Sequence, residues 1–133
     1  KDLRDVYHLL ALLESDAAGV VAATATDAQR RQLEDLHAEL AAATHDREAF
    51  FAVNERFHML LLEFADNRWR SQMVADLRKV MKLNRHNSLF KQGRIEDSLA
   101  EHEAVMRALR TRDGAATAQA MRAHFAQGLE AAA

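Results

Sequence analysis

The chain has 133 residues, 49% hydrophobic and 29% charged, with a formal net charge of −2, no cysteine, no proline and four glycines. Such a chain buries about two-thirds of the surface its unfolded form exposes, enough for one domain with an unstapled core. The absence of cysteine excludes disulfides and thiolate metal sites, and the small negative charge argues against this piece gripping nucleic acid by itself. Abundant alanine and leucine without proline point to an all-α protein. No signal-like segment and no long apolar run stand out, so a cytoplasmic protein that does not enter a membrane is expected. The chain opens on Lys1 and runs straight into helical pattern, as expected of a domain belonging to a longer protein.

The first helix is predicted from about Leu3 to Ala23, with Val6, Leu9, Leu10, Leu13, Ala17, Val20 and Val21 as its buried stripe. Thr26 or Asp27 caps a second helix, whose stripe is Leu33, Leu36 and Leu40. Thr44-His45-Asp46 breaks the pattern before a third helix that reaches about Ala65. At about 100° per residue, Phe50, Val53, Phe57, Leu60, Leu61 and Phe64 share one side of it, and Phe51 and Leu62 widen the apolar arc to roughly 200°. Asp66-Asn67 makes a turn, and Trp69, Met73, Val74, Leu77 and Met81 carry a fourth helix towards residue 89. Lys91-Gln92-Gly93 interrupts again. A fifth helix follows from about Arg94 to Arg110, and Asp113-Gly114 separates it from a sixth over about Ala115 to Ala131. No stretch alternates with period two, so no strand is predicted. Six helices with short connections imply an antiparallel bundle spanning residues 1–133.

Polar residues that fall inside apolar arcs single themselves out. Asn54 and His58 stand four apart on the third helix, point the same way, and lie within its apolar arc. An unpartnered buried polar group costs about 1–3 kcal/mol, so each must find a partner. On the fifth helix His102 sits in the stripe formed by Ile95, Leu99, Val105, Met106 and Leu109. On the sixth, His124 lies at the edge of a stripe made by Ala118, Met121, Phe125 and Gly128. The other histidines are placed differently: His8 and His86 point away from their stripes, His45 is in a turn, and His37 flanks a stripe with no other inward polar group. Three inward imidazoles from three helices, with an amide oxygen beside the first, suit a divalent zinc, nickel, iron or copper ion. Such neutral donors leave the cation's charge uncompensated and favour an anionic ligand such as a carboxylate. The alternative is three separate hydrogen-bonded core histidines, since a helical wheel does not show that three helices meet at one point.

On the fourth helix the apolar face ends at Met81 and then presents Asn84, Arg85 and Ser88, with Arg78 flanking. Arginine is the bidentate partner of a carboxylate, which here is either that of a small ligand or that of a neighbouring helix.

Asn54-Glu55-Arg56-Phe57-His58 followed by Leu60-Leu61 resembles the (Asp/Asn)…Phe-His signature of the FCD domain. That domain is the effector-binding C-terminal half of the FadR subgroup of GntR transcription regulators. Asn67 resembles the family's asparagine after the metal-binding helix. Ser98-Leu99-Ala100-Glu101-His102, continuing to Leu109, resembles its S-x-x-E-H motif. Asp113-Gly114-Ala115-Ala116 and Ala120-Met121-Arg122-Ala123-His124 resemble the closing G-D…M-x-x-H segment, with Asp and Gly exchanged. Leu13-Glu14 and Ala17-Ala18 resemble its L-E-x-x-A-A. The order is kept over nearly the whole chain, and the six-helix count is similar to the VanR-like branch.

The resemblance implies Asn54, His58, His102 and His124 as ligands of a divalent metal ion, zinc or nickel, with asparagine where the family commonly has aspartate. Leu10 stands where the family often has an effector-holding arginine, which shifts that role to Arg78 or Arg85. A small organic acid would ligate the metal and bias a homodimer between two arrangements. DNA would be contacted only through an N-terminal winged helix-turn-helix that this chain does not contain. The outer faces of the first and fourth helices, with Trp69, would form the dimer contact. Catalysis is not expected: Glu55-Arg56-Phe57-His58 has the spacing of a di-iron Glu-x-x-His pair only once, with Glu55 on the polar side. Glu101 projects about 100° from His102 and makes a poor general base for it. A third possibility is a metal-free helical dimerisation module.

Overall fold

The computed structural model describes residues 2–84 and 91–132. These form six helices and no strand: α1 (Asp2–Thr24), α2 (Asp27–Ala42), α3 (Arg47–Phe64), α4 (Arg68–Asn84), α5 (Arg94–Arg110) and α6 (Gly114–Ala132). The bounds match the predicted ones within a residue or two, because the starts are set by local chemistry. Thr26 caps α2 through a reciprocal pair with Gln29, and the Asp46 carboxylate accepts from the Glu48 and Ala49 amides at the start of α3. Asn67 accepts from the Arg70 amide and Asp113 from the Ala116 amide, so α4 and α6 are capped likewise. The expected extension of the fourth helix towards residue 89 falls outside the described residues.

Helix α1 is the central strut. It packs most extensively on α6 and also touches α3, α4 and α5. Where α1 and α6 cross, a Cβ on Gly19 would stand 3.2 Å from the Gly114 carbonyl oxygen, and one on Gly114 would stand 3.1 Å from that of Gly19. Glycine at both positions lets the two backbones approach. Leu10, Phe57, Leu61, Leu62 and Met106 are wholly buried between the helices. By length and composition α1 is apolar enough to cross a membrane, although no such run was expected from the sequence; half of that apolar stretch is buried inside the bundle. Its apolarity therefore serves the core.

Two faces are rotated from their predicted positions. On α1 the buried residues are Val6, Tyr7, Leu10, Glu14, Ser15, Ala17, Ala18, Val21 and Ala22, while Leu9 is left exposed. On α4 the inner face is Val74, Arg78 and Met81, and Trp69 and Met73 are 69% and 53% exposed. In both helices the turn towards the core brings in a charged residue, Glu14 or Arg78, that an apolar stripe passes over. These two residues find each other, and their pairing is what the rotation accommodates.

Candidate metal centre

The third, fifth and sixth helices each deliver one histidine to the same place. The rings of His58 and His102 lie 5.1 Å apart, those of His102 and His124 4.7 Å, and those of His58 and His124 5.4 Å. One ligand-capable nitrogen from each lies within 4.8 Å of the other two. Tetrahedral nitrogens at about 2.1 Å from one ion stand about 3.4 Å apart, so an adjustment of about 1.5 Å or less in each separation closes the set. Asn54, one turn before His58, is buried beside them.

The polar atoms of this cluster divide into two kinds. His58 Nδ1 donates to Glu14 Oε1 at 2.6 Å, and His124 Nδ1 donates to Glu101 Oε1 at 2.6 Å. Each carboxylate is held in turn by an arginine. Arg78 Nη1 donates to Glu14 Oε2 at 2.9 Å, and Arg94 donates to both Glu101 oxygens at 2.7 and 2.8 Å. Two Arg–Glu–His relays thus converge on the cluster and fix the outer nitrogen of two rings as the protonated one, leaving their Nε2 atoms as the electron-pair donors. By contrast, Asn54 Oδ1, His58 Nε2 and both nitrogens of His102 are buried with no hydrogen-bond partner.

Electrostatics keeps the donors in the form a metal needs. Burial pushes the His58 imidazolium down and outweighs the opposing pull of Glu14; Arg78 and His124 add to the lowering. Burial, with His124 and His58 nearby, holds His102 well below its ordinary value. Both rings are therefore neutral. Burial alone would raise the Glu14 carboxyl, but His58 and Arg78 against it outweigh burial and keep it ionised. Glu101 is lowered likewise, by hydrogen bonds from His124 and Arg94 that overcome its desolvation. Neutral rings, fixed tautomers and unpartnered lone pairs turned to a common point fit a divalent cation.

Against the cluster lies a cavity of about 40 Å³. Asn54, His58, His124, Arg78, Arg94 and Ser98 make its polar side; Tyr7, Phe50, Phe51, Met81 and Phe125 make the apolar one.

The structure thus brings Asn54, His58, His102 and His124 together. Arg78 also borders the cavity, but its guanidinium is engaged by Glu14 and by both oxygens of Glu55, at 3.3 and 2.6 Å, as in the neighbouring-helix alternative. Glu55, expected on the polar side, is largely covered, and Lys82 stands 3.3 Å from it. Arg85 lies outside the described residues, as does His86. His37 pairs instead with Glu103 at 2.9 Å, and His8 and His45 are exposed.

Sequence reasoning missed Glu14, Arg94 and Glu101 as the residues that orient the rings. A signal existed for each. Glu14 falls four residues after Leu10 and three before Ala17, in the middle of an apolar stripe. Arg94 and Glu101 stand seven apart, on one face of α5. Glu101 does turn away from His102, and what it turns towards is His124.

The chain belongs to the FCD domain family, whose profile matches residues 5–127. It is similar to YdhC of Bacillus subtilis (strain 168), described as an HTH-type transcriptional regulator, with 26% identity over 129 residues that cover 94% of this chain and 57% of YdhC. Among solved structures it is similar to a Streptococcus agalactiae GntR protein, with a TM-score of 0.82 and 25% identity over 97% of this chain and 58% of that one. The chain spans little more than half the length of either relative.

Proposed function

We propose that this FCD domain is the effector-sensing and dimerising part of a cytoplasmic GntR-type transcription regulator. Asn54, His58, His102 and His124 hold one divalent metal ion, zinc or nickel, and a small carboxylic acid completes its coordination. The observation that carries this is the set of unpartnered buried atoms: Asn54 Oδ1, His58 Nε2 and both His102 nitrogens. A core that needed these residues only for packing would leave several polar groups desolvated at about 1–3 kcal/mol each. A bound cation supplies the Lewis acid that pairs with Asn54 Oδ1, His58 Nε2, one His102 nitrogen and the acid's carboxylate. Glu14 and Glu101 aim the rings, and Arg78, shared between Glu14 and Glu55, holds the Glu14 carboxylate in place at the cavity wall.

The domain's outer surface supports a homodimer. Trp69, Met73, Val80 and Leu83 recur along one side of α4, and Leu9 and Leu12 are exposed on neighbouring α1. Exposed apolar residues at such spacing mark a helix face that another surface covers. The acid would act by binding one arrangement of that dimer more tightly than the other, and so change how DNA-binding parts outside this chain are presented. A regulatory role is favoured over catalysis because the carboxylates nearest the cluster, Glu14 and Glu101, are each tied to an arginine and a histidine. A general base must be free to take a proton.

Zinc titration by calorimetry tests the proposal. The protein is expected to take up one equivalent, and His58→Ala and His102→Ala are each expected to lose tight binding. Full metal occupancy in both variants would reject the site.

A further inference from the structure

We infer that His37 is a positioning residue for the metal centre: it holds the outer nitrogen of His102 through one bridging water molecule and so aims the third ligand ring. The inference rests on the metal function proposed above and adds to it a residue on α2.

Two of the three rings are aimed by pairs already described. His58 is held by Glu14 and Arg78, and His124 by Glu101 and Arg94. His102 is different: its ring is buried, and neither nitrogen has a hydrogen-bond partner. A ring turns only one nitrogen to an ion. Once that nitrogen gives its lone pair, the proton sits on the other, and coordination makes this N–H a stronger donor. In the metal-loaded protein His102 thus carries a buried donor on the side of the ring away from the ion.

A chain of side chains with the complementary end lies on the neighbouring helix. Helix α2 packs on α5, and His37 of α2 is nine-tenths buried. Its Nε2 donates to Glu103 Oε1 at 2.9 Å, and Glu103 Oε2 accepts from Arg110 Nη1 at 2.8 Å. With the proton on Nε2, Nδ1 of the neutral ring is an acceptor lone pair. That Nδ1 is buried without a hydrogen-bond partner. Arg110, Glu103 and His37 therefore repeat the Arg–Glu–His order of the other two relays. Their chain ends in an unused acceptor, and Glu103 is the residue next to His102 on α5.

The two ends do not bond each other directly. A water molecule is acceptor and donor at once: it takes the His102 N–H and donates to His37 Nδ1. Such a bridge is nearly as favourable in enthalpy as a direct bond. The rings are near enough to influence one another: after burial, His124 and His58, His37 is the next group that holds the His102 imidazolium down. An ion pair with Glu103 does not by itself explain the placement. Exposed pairs contribute little, and a histidine serving only that carboxylate gains nothing by burying its second nitrogen.

The test uses His37→Leu, His37→Gln and Glu103→Gln. Zinc affinity is read by competition against a chelating dye, and the ligand-ring N–H protons are read by proton magnetic resonance of the cobalt-loaded protein. His37→Leu is expected to bind zinc about tenfold more weakly. Its His102 N–H signal is expected to exchange faster with solvent, while those of His58 and His124 keep their rates. His37→Gln, whose amide can donate to Glu103 and accept from the water, is expected to bind zinc more tightly than the leucine variant. Glu103 is 36% exposed, so Glu103→Gln spares the core and is expected to speed the same signal if the leucine variant fails to fold. An unchanged His102 exchange rate in the leucine variant, or in Glu103→Gln where that variant does not fold, overturns the inference and leaves the metal site standing. No tight zinc uptake by the unsubstituted protein overturns the metal function itself and this inference with it.

Discussion

His102 is the residue with the sharpest conflict between chemistry and surroundings. It is 1% exposed, neutral, edge-on to Phe57 at 4.9 Å, and neither ring nitrogen has a partner. Replacing an unpaired buried polar group by an apolar one of similar size relieves desolvation. His102→Leu is therefore expected to raise the stability of the metal-free protein by about 1–3 kcal/mol in urea melts and to abolish stabilisation by zinc. A destabilised metal-free variant would mean that the ring is satisfied where it stands. Glu14 acts one step further out, through His58. Glu14→Gln keeps an oxygen for the Nδ1 proton but loses the charge; Glu14→Ala loses both. Outer-shell changes of this kind weaken metal binding about 10–100-fold. The alanine variant is expected at the upper end and the glutamine at the lower, read by competition against a chelating dye.

At the scale of elements, the crossing of α1 and α6 and the outer face of α4 make opposite demands. The first is tight. Gly19→Ala sets a methyl 3.2 Å from the Gly114 carbonyl oxygen, a backbone atom that moves only if a whole helix does. A gain in helix propensity of about 1 kcal/mol only partly offsets overpacking of about 1–3 kcal/mol. The net expectation is a lower urea midpoint, and because α1 carries Glu14, weaker zinc binding with it. The outer face of α4 is open by contrast. Met73 is 53% exposed, between Trp69 and Val80, so a charge there costs an isolated domain little. If that face is the dimer contact, Met73→Glu is expected to convert dimer to monomer in sedimentation while leaving the melting temperature of the monomer nearly unchanged. A variant that stays dimeric places the contact elsewhere.

For the whole molecule, the buried ionisable groups push stability in one direction with pH. His58 and His102 have folded values below the ordinary 6.5. As pH falls below 6.5 the unfolded chain binds protons that the folded chain refuses, so stability present above that value is lost. Glu14 and Glu101 are lowered from 4.5, and Glu55, desolvated but held by Arg78, His58 and Lys82, is lowered to about 2. Their contribution is present above 4.5 and is lost as the pH falls towards 2. Metal-free protein is expected to melt at progressively lower temperature from pH 7 to 5, then to lose stability again below about 4.5. His102→Leu should flatten the first decline. A melting temperature that stays level between pH 7 and 5 would contradict this account. With zinc bound the upper decline should steepen, since protons and metal compete for the same imidazoles.

Periodicity alone determined the six helices and their limits, because caps such as Thr26, Asp46 and Asp113 act within a few residues of themselves and need no distant partner. It also placed Asn54, His58 and His102 within the apolar stripes of their helices and His124 at the edge of its own. Tertiary structure decided the rest. Whether three helices bring their histidines to one point depends on crossing positions, such as that of Gly19 against Gly114, which no single helix encodes. Why α1 and α4 turn Glu14 and Arg78 inward is likewise a property of the pair. Each charge alone belongs on the surface, and only the other's presence across the interface, with His58 and Glu55 completing the bonds, makes burial favourable.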